Sequence, residues 1–248
     1  MDPLSLRTRR WYSIISSVAF IVVLVFAVLY ASGYHLKGFS VVETGAIHVS
    51  VPVPDASVLL NGKEVGKSGL LTRAFFLDNL APGDYVLEAR LTGYYPWTKD
   101  LVVAPKIVTD VPALLIPITL TFDKAPFPDL ATEATTTETE GGLALSVESG
   151  TAIVRWTRSV ESVPAAFCLA PGSCVLGIIV ATGGVIEAHF FDGGVVYDTP
   201  QGIFIAEADV KQPRLVVPLY PHPGATFRID HRRLYIKDGS QSYEVSGF

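Results

Sequence analysis

Charge is scarce in this chain. Charged residues make up 17% of its 248 positions, against roughly 25% in an ordinary soluble domain, and the formal net charge is −5. A nucleic-acid binder needs a concentration of Lys and Arg to neutralise phosphates, so a dedicated DNA or RNA protein is excluded. Methionine occurs once, whereas glycine occurs 21 times and proline 17 times, and 10% of residues are aromatic. That balance disfavours a helical bundle and suits a turn-rich β-protein. The low hydrophobicity and high net charge of a disordered chain are also missing, since 49% of residues are hydrophobic.

Catalytic signatures are equally scarce. No H-E-x-x-H, G-x-S-x-G or glycine-rich dinucleotide fingerprint occurs, and His35, His48, His189, His222 and His231 are scattered. His222 and His231 could meet on a metal with Asp230 or Asp192, but they lie nine positions apart, and loop or surface histidines are the simpler reading. Gly62-Lys63-Glu64-Val65-Gly66-Lys67-Ser68 looks like a phosphate-binding loop but is one residue short between its glycines, and no helix follows to supply the dipole. Lys67-Ser68-Gly69 likewise lacks an S-x-x-K partner. The expectation is a non-enzyme with no cofactor, no metal site and no nucleotide.

What the chain has in abundance is one long apolar run. Trp11 to Tyr34 contains no Asp, Glu, Lys or Arg, and about 20 such residues cross a hydrocarbon core about 30 Å thick. A transmembrane helix is predicted over 12–34, following a cytoplasmic tail over 1–11. Trp11 and Tyr12 at one end and Tyr30 and Tyr34 at the other suit the two interfaces. Arg7, Arg9 and Arg10 precede the span; residues 1–34 carry three Arg and one Asp, a balance of +2 that leaves −7 for the remainder. The positive-inside rule then keeps the N-terminus cytoplasmic and places the bulk outside. A cleaved signal peptide ending at Ala31-Ser32-Gly33 is the competing reading, but the apolar stretch exceeds the usual 7–15 residues of a signal core. No Cys lies near the end of the span, which argues against a lipoprotein.

From about Gly45 to Ile118 the pattern is one of strands. Ile47 to Val51 alternates, Ser57-Val58-Leu59-Leu60 runs into Asn61-Gly62, and Asn-Gly between β-formers is a strong hairpin signal. Tyr85–Leu91 and Lys99–Val103 are further strands, with Pro82-Gly83-Asp84 turning into the first of them. An antiparallel β-sandwich is predicted over 45–118. Ala56-Ser57-Val58-Leu59-Leu60-Asn61-Gly62, Gly66, Leu80-Ala81-Pro82-Gly83-Asp84-Tyr85 and Gly93-Tyr94, taken in order, resemble the PEGA domain, a small β-sandwich module of bacterial and archaeal envelope proteins. The name-giving tetrapeptide falls on Val53-Pro54-Asp55-Ala56, of which only Ala56 matches. The resemblance implies an extracytoplasmic, non-catalytic module with surface or carbohydrate-related roles. Tyr94, Tyr95 and Trp97 could form a sugar-stacking platform, or they could close the core of the sandwich.

The Thr/Glu tract in 123–142 has almost no large apolar residue and reads as a linker. Beyond it, 143–248 is again β-rich. Candidate strands lie at Thr151–Arg158, Val175–Ala181, Val185–Phe191, Gly202–Glu207, Leu215–Leu219 and Leu234–Lys237. Two stretches, Gly194–Gly202 and Arg233–Ser240, are loosely alike and suggest propeller-blade units, although at 40–45 residues per blade the block is too short for a ring of four. A small open sheet assembly or sandwich of propeller-derived kind is expected. The only cysteines, Cys168 and Cys174, flank Pro171-Gly172 and would form a local disulfide on the oxidising side of a membrane. The fold class is thus an all-β ectodomain with one N-terminal transmembrane helix. The favoured role is a membrane-anchored envelope protein that binds a cell-surface polysaccharide or another envelope protein. The alternative is an enzyme or enzyme accessory acting on envelope glycans.

Overall fold

The computed structural model describes residues 6–31, 34–37, 40–129, 137–170 and 172–248. Uncharged β-branched and aromatic residues would not hold a long helix in water, yet Leu6–Ala31 is one continuous helix, α1. Its Arg7–Tyr30 portion is long and apolar enough to cross a membrane, and no residue of its apolar window is buried. About 24 residues at 1.5 Å each give about 36 Å, ample for a bilayer core. A short hairpin, β1 (Tyr34–Lys37) and β2 (Ser40–Glu43), links the helix to the rest.

The sandwich has seven strands: β3 (Gly45–Ser50), β4 (Ser57–Leu60), β5 (Lys63–Lys67), β6 (Ala74–Leu80), β7 (Gly83–Arg90), β8 (Trp97–Val103) and β9 (Val108–Pro112). They form two sheets, in the orders β6-β3-β9 and β5-β4-β7-β8. All pairings are antiparallel except β3 with β9, which run parallel. The Asn61-Gly62 turn takes φ of 50° and 76°, as the two-residue hairpin requires, and Asn61 Oδ1 accepts a hydrogen bond from the Val86 amide at 2.8 Å. Ile47, Val49, Val58, Leu87, Ala89 and Leu101 fill the space between the sheets. The stretch that mimics a phosphate loop is β5, and Ser68 is a buried structural residue. Its hydroxyl accepts from the Ala56 amide at 2.9 Å and donates to the Val53 carbonyl at 2.6 Å.

The remainder is three blade-like, four-stranded meanders. The first comprises β11 (Thr137–Glu140), β12 (Leu143–Glu148), β13 (Thr151–Trp156) and β16 (Gly177–Ala181), with the small hairpin β14 (Cys168–Ala170) and β15 (Ser173–Cys174) inserted before β16. The second comprises β17 (Ala188–Phe191), β18 (Gly194–Thr199), β19 (Gly202–Ala206) and β20 (Val216–Tyr220). In the third, β21 (Thr226–Asp230), β22 (Arg233–Asp238) and β23 (Gln241–Ser246) are completed by β10 (Thr121–Lys124), from the other end of the block. The two like stretches seen in the sequence are therefore two of three. Leu143, Gly194 and Arg233 each open a six-residue strand followed by a two-residue turn. Leu145, Val154, Ile178, Val195 and Tyr197 bury the first sheet against the second. Phe191, Val196, Ile203, Phe227, Leu234 and Ile236 belong to a core that continues into the sandwich.

The sequence reading needs three adjustments here. The helix runs Leu6–Ala31 rather than over 12–34: it takes in part of the expected tail, whose arginines are good helix formers, and Tyr34 lies in β1. Of the expected linker over 123–142, 123–124 lie in β10 and 137–140 in β11, and 130–136 lie outside the described residues. β10 is an edge strand held by its pairing with β23 and by Phe122, which packs on Tyr220 and Tyr243, and β11 is an edge strand paired with β12; one apolar residue in the first and none in the second leave no alternation to read. Nor do sandwich and meanders fold around separate cores. Ala113, Leu114, Leu115 and Ile116, which connect them, are all buried, and Tyr95 N–H donates to the Ile116 carbonyl at 2.8 Å.

Candidate functional site

The junction between sandwich and meanders is built around charges hidden from water. Lys99 on β8 is fully buried and Glu207, just after β19, nearly so; Lys99 Nζ lies 2.7 Å from Glu207 Oε2. The ammonium also donates to the carbonyls of Lys211 at 3.2 Å and Pro213 at 3.1 Å. Glu207 accepts two further hydrogen bonds, from Trp97 Nε1 and from the Leu215 amide at 2.8 Å. Asp100 N–H donates to the Gln212 carbonyl at 2.7 Å, extending the sandwich sheet onto this loop. Nearby, Lys211 Nζ donates to the Ala165 carbonyl and lies 3.7 Å from Asp209; burial pulls the Lys211 amine below its ordinary range. All three Lys99 ammonium protons have acceptors and both Glu207 carboxylate oxygens accept hydrogen bonds, the condition under which a buried ion pair is tolerated and fixes a single packing arrangement.

This placement corrects the sugar-platform reading for Trp97. Its ring is 1% exposed and its indole N–H is committed to Glu207, so neither face can stack on a ligand. Tyr94 and Tyr95 are half-buried and pack against the same core. Aromatic side chains at the end of a small sandwich close its core when a second module covers them. Cys168 and Cys174 are joined as a disulfide, and they pair across the β14–β15 hairpin, which abuts β8.

Beside this locked junction lies a cleft of about 690 Å³. Phe190, Phe191, Leu143, Ile229 and Phe248 give it an apolar floor, with Glu140, Asp192 and Arg232 as charged lining and Pro112 contributed by the sandwich. Phe191 and Phe248 meet edge to face, with ring centroids 5.1 Å apart. A second lobe of about 410 Å³ shares Pro112, Asp192 and Gly193 and extends along Ser50, Pro52, Arg73 and Leu114. The cleft thus runs across the seam of the two modules.

No protein-family model and no curated protein matches the chain.

The cleft draws on the same turn in each meander. Gly141-Gly142, Asp192-Gly193 and His231-Arg232 each join a first strand to a second, and all six residues have positive φ. Glycine or Asp-Gly tolerates this geometry. His231 and Arg232, at φ of 47° and 64°, each bear a steric cost of about 1–2 kcal/mol by the left-handed penalty for residues with a Cβ. A local cost kept at the edge of a cleft points to a side chain retained for something other than stability. Arg232 is thus the cleft residue that folding alone does not explain.

The titratable groups elsewhere on the meanders form a closed structural cluster. Glu187 Oε1 lies 2.8 Å from His189 Nε2 and 2.9 Å from Arg228, which joins the second sheet to the third. The His189 hydrogen bond, with help from Arg228, holds the Glu187 carboxyl below the usual carboxylate range. Asp198 is buried, its Oδ1 accepting from the Glu187 amide at 2.7 Å, and burial pushes its carboxyl up to about 6. A perturbed acid can mark a catalytic site, but this one is 1% exposed, so no substrate reaches it. His222 faces Asp238 at 3.3 Å and His231 faces Asp230 at 2.7 Å, and among the described residues no group of three or more His, Cys, Asp or Glu could hold a metal.

Proposed function

We propose that this is a single-pass cell-envelope protein with a PEGA-like sandwich. In this reading the N-terminus is cytoplasmic, and the extracytoplasmic β-modules bind a surface polysaccharide or a partner envelope protein in the cleft across their seam. The observation that carries the reading is the fully bonded Lys99–Glu207 junction beside the cleft. A rigid seam presents the two lobes in a fixed relation, the preorganisation that makes binding effective. The aromatic floor with a mixed charged lining suits either a sugar ring face or an apolar side chain of a polypeptide. Arg7, Arg9 and Arg10 support the orientation.

Two experiments test this. Protease added to intact spheroplasts should degrade the bulk of the chain; protection until the cells are permeabilised would reverse the orientation. Full-length protein solubilised from membranes should retain its polymer or partner in a pull-down, and the double variant Arg232→Glu, Phe248→Asp should lose it. Equal capture by both proteins would remove the cleft from the function.

A further inference from the structure

The tether between helix and sandwich doubles back on itself. β1 leads away from the end of α1 and β2 returns, with Tyr34 paired to Glu43. Two antiparallel strands of equal length give almost no net advance, so Thr44 and Gly45 lie close to the level at which the helix ends. The register then fixes what else lies at that level. Gly45 pairs with Leu80 and Ala46 with Val108, so the base of the sandwich, including the turn carrying Lys106 and Ile107, sits there too. Asn79 Nδ2 lies 3.5 Å from the hydroxyl of Tyr30, in the last turn of α1. A cleft of about 360 Å³ opens between them, lined in part by Tyr30, Phe76, Ile107 and Val108.

The outward face of the β6-β3-β9 sheet leaves large apolar side chains open near this end. Phe76 is 60% exposed and Val108 50%; Val108 lies in the row of Ala46, and Phe76 lies one step up, level with His48 and Asp110, which are hydrogen-bonded at 2.7 Å. Large apolar side chains left open on an outer sheet face mark a contact surface. Because the patch is continuous with the residue that ends the membrane-crossing stretch, the chemistry next to it is lipid. We propose that Phe76, Ile107 and Val108 seat the sandwich on the headgroup and upper acyl region of the leaflet in which α1 ends. The Lys106–Glu43 pair, at 2.8 Å, sits among the headgroups, and the ectodomain is thereby held at a set angle to the membrane. The inference rests on α1 spanning the bilayer.

The test uses the full-length protein in phosphatidylcholine nanodiscs. Phe76→Cys and Val108→Cys are each labelled with an environment-sensitive fluorophore, the native cysteines being bonded to each other. Leu71, fully exposed in the turn before β6 at the far end of β3, is the control position as Leu71→Cys. The labels at 76 and 108 should emit blue-shifted light and be quenched by lipids spin-labelled at the headgroup, with neither effect at 71. Emission at 76 and 108 equal to that at 71 would overturn the proposal while leaving the anchor intact. Shielding confined to nanodiscs holding two copies would overturn it in favour of self-association. Failure of the chain to enter nanodiscs at all would remove the anchor as well.

Discussion

Removing the carboxylate of Glu207 is the most severe single test of the junction. Glu207→Ala leaves Lys99 Nζ, the Trp97 indole N–H and the Leu215 amide facing an empty acceptor position. The ammonium keeps only the carbonyls of Lys211 and Pro213. Breaking a buried pair from one side costs about 3–5 kcal/mol, because the surviving charge is left uncompensated. For a folded part of this size, about 2–4 °C is lost per kcal/mol, so the midpoint of thermal unfolding should fall by about 6–20 °C. Lys99→Met should cost less. It leaves two carbonyls without a donor, whereas Glu207 keeps the Trp97 and Leu215 donors. The double variant Lys99→Met, Glu207→Leu should recover part of the Glu207→Ala loss, since replacing both partners removes the stranded charge. Near-ultraviolet circular dichroism and tryptophan emission of the detergent-solubilised chain report the change, because Trp97 becomes wet when the seam opens. A loss below about 1 kcal/mol for Glu207→Ala, the scale of an exposed pair, would refute the claim that this contact holds the modules together.

Three further outcomes follow from the same structure. Asp198 binds its proton more tightly folded, at about 6, than at its ordinary value of 3.8, so stability should fall by about 3 kcal/mol as pH rises through that window. Asp198→Asn should flatten denaturant midpoints between pH 4 and 6, and parallel curves for both proteins would count against the assignment. Replacing His231-Arg232 by Asn-Gly should stabilise the protein by about 1–2 kcal/mol, because the turn's positive φ then costs little. The same change should weaken capture of the bound partner, and an unchanged capture would separate Arg232 from binding. Protease cutting within 130–136 should yield two fragments that stay together in native gel filtration, since β10 pairs with β23 and Lys99 with Glu207 across the cut; fragments that part without denaturant would show the seam to be weak.

How much of this could be read in the sequence depended on how local each cause is. The helix was legible because its cause is a contiguous run of uncharged residues. β4 was placed at its observed bounds because Asn61-Gly62 terminates it. β7, β13 and β22 were placed within two residues at either end, through their alternation and turns. β5, β6 and β9 were missed: β5 and β6 are exposed over most of their length and β9 is buried at one position only, so their apolar pattern is weak. The repeat in the first meander, at Leu143–Trp156, went unread: it shares with the other two a spacing, six residues and then a two-residue turn, but its residue types differ. The junction was illegible for a different reason. Lys99 and Glu207 lie 108 positions apart, and neither residue type announces burial. Trp97 could be singled out as unusual, but whether its ring faced a ligand or a neighbour depended on a module the local pattern does not reveal.

Closure of the third sheet has a consequence for biogenesis. β10 is complete by Lys124, yet its partner β23 ends at Ser246. Because synthesis runs from the N-terminus, every sandwich strand is made by Pro112, well before β23. β10 is then an unsatisfied edge until β23 is made. A chain cut short before β23 would therefore expose β10 as a sticky edge, a species open to intermolecular pairing.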